Sequence, residues 1–228
     1  MMAKFPVRAV VFDMDGILLD SERRSQEILQ VAAERLGLTL SPEVSLGLVG
    51  KHDAECRRYL EGHLGSAAVV EDLIAEFTRL YETEIERGGI PLKQGVHEVL
   101  QTLDDLRIPR AVATSTETER ARRKLAKVQI LERFDAIIGG EQVANGKPAP
   151  DIYLKACRTL GLLPERSLAC EDSPAGLEAA SGAGLRAVLI PDLVSPTERM
   201  RSQAWRVAES LHDVVAIIKH ECATEDDR

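Results

Sequence analysis

Aromatic side chains are scarce in this chain: one tryptophan, three tyrosines and four phenylalanines among 228 residues. No cluster of rings is present to stack on a nucleobase. Long hydrophobic runs are also missing. None approaches the roughly 18 residues that a membrane-spanning helix needs, and no membrane partner is expected. Met1–Val7 has no long apolar segment with a cleavage site, so no secretory signal is expected. The four cysteines (Cys56, Cys157, Cys170, Cys222) lie far apart with no CxxC pair. The expectation is reduced thiols in a cytoplasmic protein. Cys170 adjoins an acidic pair and reads as small apolar filler of a buried strand, with a reactive thiol as the alternative. No histidine or cysteine cluster accompanies the acids, which disfavours zinc. Positive charge is in deficit, the net being −8. That argues against nucleic acid as a partner and means an anionic substrate would need a local cation. Internal repeats and low-complexity tracts are absent.

What is present is alternation. Five short apolar runs read as buried parallel strands: Ala9–Phe12, Ala111–Ala113, Ala136–Ile138, Leu168–Ala169 and Ala187–Ile190. Helical segments separate them at Gly95–Leu106, Glu117–Val128, Pro150–Leu160 and Pro174–Ala183, the last two opening on a proline. The expected fold is α/β, a Rossmann-like parallel sheet flanked by helices, with ligands at the strands' carboxyl ends. The first strand ends at Asp13 and the second near Thr114, 101 residues later. A crossover unit needs only about 30. Most of the interval must be an insertion, and it reads as helical: Glu27–Leu36, Pro42–Leu48, Asp53–Leu64 and Val69–Ile85. The expected domains are residues 1–20 with 92–228 as the α/β core and 21–91 as a helical cap, placed to cover the acidic turn that precedes it. Arg87–Pro91 has the composition of a hinge. Glu221–Arg228 reads as a polar tail that frays.

Four strand ends carry chemistry. The first gives Asp13-Met14-Asp15-Gly16: two carboxylates at i and i+2, then a glycine for the turn. Carboxylates this close repel unless a cation lies between them or one holds a proton. An exposed turn or helix cap would use the same letters. The second end, Thr114-Ser115-Thr116-Glu117, offers hydroxyls and backbone N–H groups to an oxyanion. Thr116 with Glu119 equally makes a capping box. Lys147 lies between turn residues, pushed into extended backbone by Pro148. It balances clustered acids or a phosphate, or else it is a solvated loop lysine. The fourth end brings Glu171-Asp172, which alone could be a helix cap. Four carboxylates along one sheet edge are costly without a counter-charge. Mg2+, with oxygen ligands near ~2.1 Å, is the natural partner.

In order and context these motifs resemble the haloacid dehalogenase-like superfamily of phosphohydrolases over roughly Val7–Lys219. The cap is similar to that family's helical-bundle type. Asp20-Ser21-Glu22 and Glu171–Gly176 are similar to the branch holding beta-phosphoglucomutase and phosphoglycolate phosphatase. The resemblance implies an enzyme, a Mg2+-dependent phosphomonoesterase acting on a small phosphorylated metabolite (a sugar, polyol or nucleoside phosphate). It implies Asp13 as nucleophile forming an aspartyl-phosphate and Asp15 as general acid–base. It places the metal on Asp13, the backbone carbonyl of Asp15, Asp172 and, directly or behind it, Glu171. Thr114, Ser115 and Lys147 would hold the phosphoryl group. Asp15 favours phosphate esters over carbon–halogen bonds, because a halide leaves without a proton. Mutases of this branch carry a histidine where an ungapped reading places Ser25, so hydrolysis is expected over transfer. A non-catalytic protein on the same scaffold is disfavoured by the four intact motifs. In the cap, Lys51, His52, Arg57 and Arg58 are candidates for the leaving group, with a solvated helix face as the plainer role. A monomer is expected, with a dimer as the alternative.

Overall fold

The computed structural model describes residues 6–49, 53–193 and 195–223. Among these, six strands form one sheet: β1 (Ala9–Phe12), β2 (Arg110–Ala113), β3 (Ala136–Ile138), β4 (Ser167–Glu171), β5 (Arg186–Leu189) and β6 (Arg206–Val207). Their spatial order is β3-β2-β1-β4-β5-β6, and every neighbouring pair is parallel. The helices, in chain order, are α1 (Ser21–Arg35), α2 (Pro42–Leu46), α3 (Asp53–Leu64), α4 (Ala67–Arg87), α5 (Val96–Asp105), α6 (Thr118–Lys127), α7 (Asp151–Leu160), α8 (Pro174–Gly182), α9 (Glu198–Gln203) and α10 (Leu211–Ala223). The fold is thus α/β, a parallel Rossmann-like sheet flanked by helices, with an inserted helical cap. No helix among the described residues is long and apolar enough to cross a membrane.

The chain forms two compact units, Met1–Asp20 with Pro91–Arg228, and Ser21–Ile90. In the first, β1 and β4 are buried at every residue, as expected of strands covered on both faces. Val11, Ala111, Ala113, Ala169, Ala187 and Leu189 form one face of the sheet and pack with Ile152, Tyr153, Ala156 and Cys157 of α7 and Leu177 and Ala180 of α8. Alternate residues such as Val10 and Phe12 point the other way, where Phe12 meets Phe134 edge-on at 6.2 Å. The chain turns from β1 to β2 to β3 on one side of β1, then restarts on the other side with β4. That reversal opens a crevice beyond the carboxyl ends of the central strands.

The second unit is all helical. Leu29, Ala32 and Ala33 of α1, Leu60 of α3, and Val70 and Leu73 of α4 make its core. Arg24 of α1 holds Glu84 of α4 at 2.6 Å. α4 ends at Gly88, whose φ of +69° closes the helix with N–H bonds to Glu84 and Ile85 carbonyls.

Two sequence expectations need correction, and one strand lies outside them. The two-residue strand β6 was not expected, since it contains an arginine and no apolar run. Helix α7 begins at Asp151, with Pro150 just outside it. Glu221 does not lie in a frayed tail: it sits within α10, 5% exposed, and accepts from Arg186 at 2.9 Å and Arg206 at 3.2 Å.

Candidate active site

Strand register assembles the site. Phe12 lies opposite Val112 on one side and Cys170 on the other, so Asp13, Thr114 and Glu171 emerge near one level. Asp13 N–H donates to the Cys170 carbonyl at 3.0 Å, and Thr114 N–H to Ile138 at 3.0 Å. Each side chain therefore leaves a backbone pinned by its neighbour.

Lys147 joins the acids. Its ammonium donates to Asp13 Oδ1 at 2.5 Å and to Glu171 Oε1 at 2.6 Å. Its side chain is only 6% exposed, so the solvated-loop role is excluded. The peptide linking it to Pro148 is cis. Glu171, fully buried, also accepts from Tyr153 Oη at 2.6 Å and from Ser173 Oγ at 3.2 Å. Ser173, not either acid, caps α8 by accepting from Gly176 N–H at 3.0 Å. Asp13, Glu171 and Asp172 bring a carboxylate oxygen each to within 4.8 Å of one another.

Two glycines make room for this crowding. A Cβ on Gly16, whose φ is +85°, would lie 2.0 Å from Asp172 Oδ2. A Cβ on Gly176 would lie 1.9 Å from Glu171 Oε1.

Charge is unbalanced. Two buried carboxylates, Asp13 and Glu171, share one ammonium, and an Asp172 oxygen lies within 4.8 Å of both. Burial pushes the Asp13 carboxyl up to about 7, against the pull of Lys147, with Glu171 and Asp15 adding to the rise. Burial opposes the Lys147 charge as well, but Asp13 and Glu171 outweigh it and hold the ammonium above the ordinary lysine range. Both shifts describe buried groups held in close electrostatic contact. An all-oxygen donor set with excess negative charge fits a hard divalent cation and does not fit zinc.

Thr114 is 2% exposed, and its Oγ1 accepts from Thr116 N–H at 3.1 Å. Ser115 follows, exposed. Thr116 does not act as a helix cap. The residue before α6 is Glu117, which makes no side-chain cap bond. Thr116 Oγ1 instead donates to Asp15 Oδ2 at 3.0 Å, while Lys124 Nζ of α6 donates to Asp15 Oδ1 at 2.7 Å. Cys170 is fully buried, and burial followed by the Glu171 charge pushes its thiol far up. It is inert filler.

In the helical unit, Lys51 and His52 lie outside the described residues. Arg57 pairs with Glu71, and Arg58 is exposed.

Sequence reasoning missed Tyr153 and Lys124. The available signal was a polar side chain on the apolar face of a helix: Tyr153 lies among Ile152, Ala156 and Cys157, Lys124 beside Ala121 and Leu125.

The pattern of haloacid dehalogenase-like hydrolases matches residues 10–190. Over 185 residues the chain is 33% identical to the phosphorylated carbohydrates phosphatase of Thermotoga maritima, covering 80% of this chain and 84% of that one. Over 187 residues it is 34% identical to hexitol phosphatase A of Escherichia coli, covering 80% and 82%. A crystal structure of a HAD family hydrolase from Deinococcus radiodurans with bound phosphate and sodium superposes with a TM-score of 0.81 at 27% identity, covering 95% of this chain and 96% of that one. With its strand-end acids, its lysine and its inserted cap, the chain belongs to the haloacid dehalogenase-like hydrolases, in the branch related to beta-phosphoglucomutase and phosphoglycolate phosphatase, and is an enzyme of the phosphatase type.

Proposed function

We propose that this enzyme is a Mg2+-dependent phosphomonoesterase that hydrolyses a small phosphorylated sugar, polyol or nucleoside through an aspartyl-phosphate on Asp13. The observation that carries the reading is the buried Lys147 bridging Asp13 and Glu171 beside Asp172. A structural ion pair would need one acid; two on one buried ammonium, with a third carboxylate within 4.8 Å of both, suit a site that receives a cation and an anion together. The sugar and polyol end of that range is supported by the names of the two relatives above.

Asp13 Oδ attacks phosphorus, and the bond from phosphorus to the leaving oxygen breaks. Asp15 gives its proton to that oxygen, then takes one from water as the water attacks phosphorus. The bond from phosphorus to Asp13 breaks, inorganic phosphate departs and the Asp13 carboxylate is restored. Thr114 and Ser115 receive phosphoryl oxygens, and Lys147 neutralises them while fixing the Asp13 rotamer. Asp13, Asp172, the Asp15 carbonyl and, directly or behind them, Glu171 would hold Mg2+, which supplies charge neutralisation for the phosphoryl group when bound. Lys51, His52 and Arg57 stay the candidates for recognising the alcohol. Alanine at each, read as KM against kcat, tests them.

The test is phosphate release from a panel of sugar, polyol and nucleoside monophosphates. Asp13→Asn should lose at least ~10³-fold in kcat, and EDTA should abolish the wild-type rate until Mg2+ is restored. Undiminished turnover by Asp13→Asn would refute the nucleophile, and indifference to EDTA the metal.

A further inference from the structure

Asp15 stands in the turn after β1 with its side chain 26% exposed. A carboxylate so placed would ordinarily sample several rotamers. Here both oxygens are taken from separate directions. Thr116 Oγ1 reaches Oδ2 from the turn between β2 and α6, and Lys124 Nζ reaches Oδ1 from the body of α6.

Lys124 has an unusual address. It is 5% exposed and lies on the helix face of Ala121 and Leu125, both fully buried. Its neighbours Arg122 and Arg123 are exposed. An apolar residue would fill that position at lower desolvation cost. None of the four strand-end motifs includes it.

We propose that Lys124, together with Thr116, is a positioning residue that fixes the Asp15 carboxyl in the orientation from which it exchanges a proton with the leaving oxygen. The inference rests on the reading of Asp15 as the acid–base group. Proton transfer from a positioned side chain is worth about 10²–10⁴-fold, and an ångström of misplacement can forfeit a large part of that. Lys124 thus contributes through geometry and touches no reacting atom itself.

A lysine that merely supports the fold would affect all substrates alike. A positioning residue for the acid affects those whose leaving group needs a proton. The experiment compares kcat on sorbitol 6-phosphate, whose alkoxide must be protonated, with kcat on p-nitrophenyl phosphate, whose phenolate leaves without one. Lys124→Met keeps the buried stem and removes the donor. It should lower the ratio of the two kcat values about 10- to 100-fold, with KM changed less than about twofold on either ester. Thr116→Val, which disturbs no buried charge, should shift the ratio in the same direction, and it decides the matter if Lys124→Met does not fold. Equal losses on both esters, or an unchanged ratio, overturn the proposal. Asp15→Asn on the same pair separates the two layers of argument. If it spares the ratio, the role of Asp15 itself is wrong. If it collapses the ratio while Lys124→Met and Thr116→Val do not, only the positioning role falls.

Discussion

Gly176 shows how tightly the acids are held. Only a residue without a side chain admits the Glu171 carboxylate at that point, since an added Cβ would sit 1.9 Å from its Oε1. Gly176→Ala should therefore push Glu171 off Lys147 and Tyr153, costing about 1–3 kcal/mol by overpacking. Chemical denaturation should record that loss, and a metal titration of the same variant should show weaker Mg2+ binding. A variant with wild-type stability and wild-type affinity would mean that Glu171 has room to move. The gathering of Asp13, Lys147, Glu171 and Asp172 was legible in the sequence because each lies where an apolar run or a turn gives way to polar residues. The glycine's role was not, since a missing side chain announces a turn but not the atom that occupies the space it leaves. Lys124 was hidden for another reason: charge on a helix is read as solvent-facing unless the face is worked out residue by residue.

Helix boundaries followed local chemistry where a cap was supplied and slipped where it was not. Ser173 and Pro174 start α8 as expected of an N-cap and first-turn proline. Thr116 carried a capping-box signature with Glu119 before α6 and instead donates to Asp15, so a tertiary partner displaced a local one. β6 escaped notice because two residues carry no periodicity, and it exists by pairing with β5. In the helical unit, α4 depends on Gly88 in left-handed backbone at its end. Gly88→Ala should cost about 1 kcal/mol, the penalty for an L-residue there, read as a shift in the urea midpoint with m unchanged. No shift would mean that the helix end relaxes freely.

The parallel sheet was readable from the alternation of apolar runs with helical segments, and the inserted helical segment from the 101 residues between the first two strand ends and the apolar stripes within them. The charge balance of the assembled site was readable only in outline, since it depends on which acids share Lys147. That balance predicts a linkage. Asp13 is held at about 7 when folded against 3.8 in an ordinary chain. Between those values the folded state binds more protons than the unfolded one, so this group's contribution to stability falls as pH rises, and the loss is complete above about 7. On the proposed reading of Asp13 as a Mg2+ ligand, the ion would compete with that proton. The rise in Tm on adding Mg2+ should therefore be larger near pH ~8 than near pH ~5.5. Thermal melts with and without the ion at both pH values test this, and an equal or reversed response would contradict it.

β1 is made first and ends up in the middle. Its two flanking partners, β2 and β4, start at Arg110 and Ser167, so on the ribosome one hydrogen-bonding edge waits for β2 and the other stays unmatched until β4 has been synthesised. Asp13 follows that early strand and can meet Glu171 only after translation has passed β4. A truncated product released before that point would thus present β1 with one open apolar edge and no assembled acid cluster, a form that favours aggregation.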